Sequence, residues 1–286
     1  MTAATEPLIR VAGLHYAYEA GTRPPISALR GIDLTINAGE HVALVGANGS
    51  GKSTLLRHLN ALLLPSQGNV WVAGWNTHEQ QHWRDIRCTV GMVFQSPEAQ
   101  IVATTVEEDV AFGPENLGVS RSELQARVDW ALRATGLMEL RAKASHSLSA
   151  GQKQRLAIAG ALAIRPRCLA LDEVTAMLDP AGCAQVSAVI TQLHRAGITI
   201  ISATHDMGEA AAAQRVIVLD KGRIALQGSP REVFADDASL LAFQLDLPAA
   251  THMARTLARR LPQFPRDVFT VSELVDAIVV HAGVTS

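Results

Sequence analysis

Residues 46–54, Gly-Ala-Asn-Gly-Ser-Gly-Lys-Ser-Thr, constrain this chain more than any other stretch. They follow an apolar run, His41-Val42-Ala43-Leu44-Val45, that reads as a buried strand. They open a segment, Ser53 to Leu64, with helical apolar spacing at Leu55, Leu56, Leu59 and Leu62. Strand, glycine-rich turn and helix in this order make the setting of a phosphate-binding loop. Gly46, Gly49 and Gly51 let the backbone curl so that successive N–H groups face one anion. The helix N-terminus adds partial positive charge. Lys52 can reach the terminal phosphates of a nucleotide, and the Ser53 hydroxyl can ligate Mg²⁺. The residues Gly46, Ala47, Asn48, Gly49, Ser50, Gly51, Lys52, Ser53 and Thr54 are therefore expected to bind a nucleotide.

Composition removes several other classes. A chain of 286 residues holds one large domain or two modest ones. Its formal net charge of −2 supplies no global field for nucleic acid or anionic lipid. Aromatic residues, at 4%, are too few for a base-stacking surface, so no nucleic-acid partner is expected. Cys88, Cys168 and Cys183 are far apart and form no CxxC, which suits a reducing compartment and suggests neither disulfides nor zinc. Residues 1–7 lack a basic segment followed by an apolar one, so no signal peptide is expected. The longest apolar run, Leu156 to Ile164, falls far short of the roughly 20 residues that span a bilayer. Any membrane role is expected to come through a partner.

Strands and helices alternate along the rest. Leu8 to Leu14 reads as a strand and Gly21 to Pro25 as a loop. Ser27 to Ile36 reads as strands broken at Gly31, and Asn69 to Ala73 as a short strand. Thr77 to Arg87 reads as a polar helix and Cys88 to Gln95 as a strand. Helices are expected over Thr105 to Gly113 and over Ser120 to Thr135, with a Ser120–Glu123 capping box. Another helix runs from about Gln152 to Ile164. Cys168 to Leu171 and Thr199 to Ala203 read as buried strands, with a helix from Pro180 to Ala196 between them. Arg215 to Asp220 and Arg223 to Gln227 form a hairpin-like pair, and a helix starts at Ser229. Thr251 to Leu261 and Thr270 to Ala282 read as two terminal helices, the second with a Thr270–Glu273 capping box. The alternation implies an α/β fold with a mainly parallel sheet covered on both faces.

Two further sites carry chemistry, and a third stretch only imitates one. Asp172-Glu173 closes an apolar strand, where Asp172 can hold a Mg²⁺-bound water and Glu173 can polarise the water that attacks a γ-phosphate. Leu148-Ser149-Ala150-Gly151-Gln152 is a short turn opening a helix, a second anion-binding N-terminus. One nucleotide does not use two distant sites in one chain, but a dimer in which each chain serves the other's nucleotide does. His78-Glu79-Gln80-Gln81-His82 fits the HExxH zinc pattern, yet it lacks apolar flanks and a third ligand, and reads as a solvated helix.

In order along the chain, these motifs resemble those of the ATP-binding subunits of ABC transporters. Tyr18 matches the adenine-stacking aromatic, residues 46–54 Walker A, and Gln95 the Q-loop glutamine. Ser149, Ala150, Gly151 and Gln152 match the signature, residues 169–173 Walker B, Leu178-Asp179 the D-loop, and His205 the switch histidine. The resemblance covers about residues 8 to 235. It implies an ABC ATPase cassette: a RecA-like core, an antiparallel β subdomain and a helical insert at about residues 96–150. It implies ATP and Mg²⁺ as ligands, with Ser53, Gln95 and Asp172 around the metal. Glu173 is then the general base, and His205 holds the γ-phosphate and the water. Ser149 and Gly151 reach the nucleotide of a second chain.

Gln95 to Val102, Thr104 to Gly118 and Leu148 to Gly160 are similar to the ATPases of energy-coupling factor importers, and most of all to the cobalt type. That branch implies a cytoplasmic, membrane-peripheral ATPase working with a transmembrane coupling subunit and a membrane substrate-binding subunit. Cobalt or another transition-metal ion is the expected cargo, and a vitamin such as biotin or riboflavin the alternative. The tail, with Leu247-Pro248 and Phe264-Pro265, resembles a C-terminal dimerisation extension, giving domains at 1–240 and 241–286. A complete motif set in one chain favours a homodimer over a pair with a sister ATPase. Ala150, Val174 and Ala176 depart from the family pattern. A soluble non-transport ABC ATPase is the rival reading, but its long coiled-coil insert or second cassette is missing. A P-loop kinase leaves Ser149 to Gln152 unexplained.

Overall fold

The computed structural model describes residues 6–20, 23–235 and 237–281. The chain begins with β1 (Ile9–Ala20), β2 (Arg23–Ile36), β3 (His41–Val45) and α1 (Lys52–Leu59). Next come β4 (Gln67–Val72), β5 (Trp75–Asn76), α2 (Trp83–Thr89) and β6 (Val90–Val93). Three helices follow, α3 (Val106–Asn116), α4 (Arg121–Ala134) and α5 (Ala150–Ala163). The chain returns through β7 (Cys168–Asp172), α6 (Pro180–Arg195), β8 (Thr199–Ala203) and α7 (Met207–Ala211). It ends with β9 (Arg215–Asp220), β10 (Arg223–Gly228), α8 (Pro230–Val233), α9 (Asp237–Ala242), α10 (Ala249–Arg260) and α11 (Val271–His281).

Two sheets frame the molecule. One has the order β10-β9-β3-β8-β7-β6 and is parallel except at the β9–β10 hairpin. The other is antiparallel, with the order β2-β1-β4-β5. Strands β3, β7 and β8 are buried at every residue, as a parallel sheet covered on both faces requires. Helix α1 inserts Leu55, Leu56 and Leu59 between the sheets, in one core with Leu44, Ile9 and Val70. On the other face, Val110, Leu132 and Leu156 from α3, α4 and α5 share a core with Leu169, Leu171 and Val186. A third core joins Val45 of β3 and Met207 of α7 to Leu240, Leu245, Leu247 and Phe269. Ala254, Ala258, Phe264 and Leu274 tie α10 to α11.

The sequence reading needs local corrections. Helix α1 stops at Leu59 rather than Leu64, because Ala61 turns to φ 52°, and Leu62 leaves the apolar face 44% exposed. Gly21 and Thr22 of the expected loop lie outside the described residues, and residues 23–25 belong to β2. Strand β2 is continuous, because Gly31 forms a bulge against β1 that keeps both Leu29 and Ile32 buried. The expected polar helix is instead a turn, a 3₁₀ turn at Gln80–His82, and then α2. Cys88 and Thr89 close α2 and do not start β6. Helix α3 runs past Gly113, since Pro114 sits in its last turn where a proline removes only one ladder bond. Ser120 caps α4 by accepting the Glu123 N–H, but the Glu123 carboxylate turns to Arg127 and does not complete the box. The Thr270–Glu273 box is complete, with each side chain accepting the other's backbone N–H. His78 and His82 do not share a helix, and among the described residues no group of side chains is built to hold a metal ion.

Candidate functional site

The C-terminal ends of β3, β7 and β8 converge on one cleft, the expected place for a ligand in a parallel sheet. Adjacent strand ends are stitched together there: Thr204 donates its N–H to Leu44 O (3.1 Å) and Glu173 donates to Ala203 O (3.0 Å). The cleft encloses about 580 Å³ between the 48–54 loop, Tyr18, Gln95, Glu173 and His205. Glycine is required twice in the loop. A Cβ on Gly46, at φ 148°, would lie 2.2 Å from Leu219 O. One on Gly51, at φ 111°, would lie 2.8 Å from Ala28 O. Gly51 precedes α1 with no side-chain cap, so the first N–H groups of the helix keep their capacity for an anion.

Lys52 is the hub. Its side chain is 4% exposed, and its ammonium donates to Gly46 O (2.8 Å) and Ala47 O (3.3 Å). Glu173 Oε1 lies 3.6 Å from Nζ. Burial pushes the ammonium below the usual lysine range, and the Glu173 carboxylate opposes that shift. Glu173 sits just past β7 with φ 50°, a left-handed backbone that a non-glycine residue adopts only where its surroundings enforce it. Its Oε1 is 2.6 Å from His205 Nε2, and its Oε2 accepts from Gln95 Nε2 at 3.2 Å. The short His205–Glu173 separation places the proton on Nε2, which donates to the carboxylate. The 3.3 Å approach of Lys52 to the same nitrogen is then a contact and not a second hydrogen bond.

Beside this cluster, Ser53 Oγ donates to Asp172 Oδ1 at 2.6 Å. Burial raises the Asp172 carboxyl above its ordinary value, and the Ser53 bond works against that. A hydroxyl, a carboxylate and the free carbonyl oxygen of Gln95 are hard oxygen donors of the kind Mg²⁺ selects, so these residues fit that ion. Tyr18 OH lies 3.2 Å from Thr54 Oγ1 at the rim. Asn48, Gly49 and Ser50 line the loop side, and the Ser50 hydroxyl is buried with no hydrogen-bond partner.

Ser149, Ala150, Gly151 and Gln152 do not line this cleft. They form the first turn of α5, where Ser149 Oγ accepts the Gln152 N–H (3.3 Å) and Gln152 Oε1 accepts the Ser149 N–H (3.0 Å). Ala150 takes the first helical position without positive φ, so its methyl group carries no backbone strain. Asp179 also lies outside the cleft, and its carboxylate accepts the Gly182 N–H (2.8 Å) to cap α6. Val174 is buried in the helical core, while Ala176 is exposed.

Sequence reasoning missed Ile26, Ser27 and Ala28, which form the cleft wall opposite Gly51. No local signal marks them, since their place follows from the β1–β2 register. It also missed the support of His205. Asp206 Oδ1 accepts the Gly208 and Glu209 N–H groups, and Thr204 Oγ1 donates to Glu209. The helix cap at Asp206 was the available signal.

A family model described as ABC transporter matches residues 29–176. The chain belongs to the ABC transporter ATP-binding proteins. Along 96% of its length it is 53% identical to the energy-coupling factor transporter ATP-binding protein EcfA1 of Symbiobacterium thermophilum, covering 97% of that protein. It resembles the structure of cbiO1 from Clostridium perfringens, part of the ABC transporter complex cbiONQ, with TM-score 0.75 and 38% identity. That match covers 90% of this chain and 97% of the other. A dimeric post-hydrolysis structure of the cassette MJ0796 with ADP and Pi matches with TM-score 0.70 and 29% identity, over 78% of this chain and 98% of that one. Membership makes the chain an ATPase whose hydrolysis is coupled to transport. Among the described residues, no helix is long and apolar enough to cross a membrane.

Proposed function

We propose that the chain is the ATP-hydrolysing subunit of an energy-coupling factor importer for cobalt or another transition-metal ion. It acts as a homodimer on the cytoplasmic face of the membrane, with a transmembrane coupling subunit and a membrane substrate-binding subunit. One observation carries the catalytic part: Glu173 is held at once by Lys52, His205 and Gln95, beside the Ser53–Asp172 pair. The cargo part rests on the resemblance of Gln95 to Gly118 to cobalt-type ATPases.

In this reading, Lys52 and the free N–H groups of α1 hold the β- and γ-phosphates. Tyr18 stacks on adenine. Ser53, Asp172 and Gln95 hold Mg²⁺, which neutralises phosphate charge when bound. Glu173 takes a proton from the attacking water as its oxygen bonds to the γ-phosphorus, and the bond to ADP breaks. His205 fixes the γ-phosphate and that water. Ser149 and Gly151 complete the site from the second chain, so ATP joins two chains and hydrolysis lets them part. Residues 96–150 pass this motion to the membrane partner, and residues 241–286 hold the nucleotide-free dimer.

The test is Glu173→Gln in the full chain and in cells carrying its membrane partners. Turnover is expected to fall by about a thousandfold or more. ATP binding stays and a stable ATP-bound dimer accumulates on sedimentation. Labelled cobalt uptake should be present with the unaltered chain and lost with the variant. Wild-type turnover in the variant removes Glu173 from the role of base, and uptake of a vitamin in place of cobalt overturns the cargo.

A further inference from the structure

The backbone of Phe94, immediately before Gln95, is held on both sides by glutamine side chains. Its N–H donates to Gln100 Oε1 at 3.2 Å, and Gln100 Nε2 reaches back to Met92 O at 3.0 Å. Its C=O accepts from Gln154 Nε2 at 3.4 Å. Gln154 lies on α5 and is 1% exposed, unlike a polar side chain on a solvated helix face. One residue earlier on α5, Lys153 Nζ pairs with Glu98 Oε1 at 3.0 Å, on the 3₁₀ turn after Gln95. Two adjacent residues of α5 thus tether the Gln95 loop at two points.

Ser149 caps that helix, and the loop that the helix tethers starts at the Gln95–Glu173 hydrogen bond. The first turn of α5 is partly exposed, but from Gln154 onward the helix packs into the core, and a helix so packed transmits a displacement of its end rather than absorbing it, because close-packed interiors resist compression. We propose that Gln154 is a positioning residue that sets Gln95 against Glu173 according to where the first turn of α5 stands. In the dimer of the proposed function, on which this inference rests, Ser149 and Gly151 engage the partner's nucleotide. Occupancy of one site would then shift Gln95, and with it the base, in the other. Lys153 adds a weaker tether, since its ion pair is solvated on the Glu98 side.

The experiment compares Gln154→Glu with the unaltered full chain. A carboxylate there meets the Phe94 carbonyl as acceptor against acceptor, with little change in volume. Nucleotide affinity of the dilute single chain should be unchanged within about twofold, while turnover falls about tenfold, the loss of one buried hydrogen bond. The dependence of rate on ATP concentration should be sigmoidal for the unaltered chain and lose that form in the variant. Lys153→Ala should show the same pattern at about threefold, and it serves if Gln154→Glu does not fold. Measuring Glu173→Gln beside Gln154→Glu separates two failures. If the ATP-bound dimer fails to form even with Glu173→Gln alone, the dimer reading falls. If that dimer forms but Gln154→Glu keeps wild-type turnover and rate curve, the positioning role is overturned. An equal loss of affinity and turnover in both α5 variants also overturns it, because that is a purely structural effect.

Discussion

Helices α1 and α5 both begin at a glycine-containing turn, yet their first turns are finished differently. At α1 the preceding residue is Gly51, in a left-handed backbone with no side-chain cap, and the N–H groups stay open beneath a buried Lys52. At α5 Ser149 and Gln152 cap each other, so the Ser149 hydroxyl already accepts a hydrogen bond from its own helix. In the proposed reaction the first is a cradle that recruits an anion alone. The second keeps hydroxyl and N–H groups in a fixed, exposed arrangement that suits a phosphate brought by another molecule. In that reading two helix N-termini serve different parts of one reaction, because their caps decide which donors remain.

The contrast can be broken most forcefully at Gly51. Gly51→Ala sets a Cβ 2.8 Å from Ala28 O at φ 111°. ATP affinity of the single chain should fall about a hundredfold, the equivalent of roughly 3 kcal/mol of strain. A nucleotide titration checks this, and unchanged affinity would show that the open turn is not what binds. Ser149→Ala should act in the opposite manner. It costs the helix about 1 kcal/mol and turnover about tenfold, with single-chain ATP affinity preserved. Should affinity fall as far as turnover, α5 belongs to the same site as α1 and the distinction fails. The smallest effect is expected on α11, where Val271, Val275 and Ile278 are 71%, 52% and 41% exposed on one helical stripe. Ile278→Asp should raise the dissociation constant of the nucleotide-free dimer about fivefold, read by sedimentation. Turnover at saturating ATP should stay within about twofold, since ATP then holds the chains together. A point substitution is the cleaner probe here, because truncation after Leu240 would strip Leu245, Leu247 and Phe269 from the core that supports Val45.

The parts of the site that rest on local order were legible in the sequence. Strand, turn and helix follow one another directly around Lys52, and the order of Gln95, Glu173 and His205 tracks strands that parallel topology brings side by side. Parts that depend on register or packing were not. Ala28 reaches Gly51 only through the pairing of β2 with β1. Gln154 and Gln100 look like ordinary polar residues until the fold sets them against the Phe94 backbone. The end of α1 turned on a single left-handed alanine, Ala61, which no propensity marks. His78 to His82 carried a pattern without the continuous helix that gives the pattern its meaning.

The Lys52–Glu173 pair means that the proposed phosphate site carries its own counter-ion. In the proposed reaction a phosphate arriving at Lys52 displaces this carboxylate, so nucleotide binding is an exchange of anions and not the neutralisation of a bare cation. The exchange also arms the reaction. In the proposed reaction Glu173 is the acceptor of the water proton, and it stays paired with Lys52 until a phosphate takes its place there. Water activation in that reaction thereby follows phosphate binding.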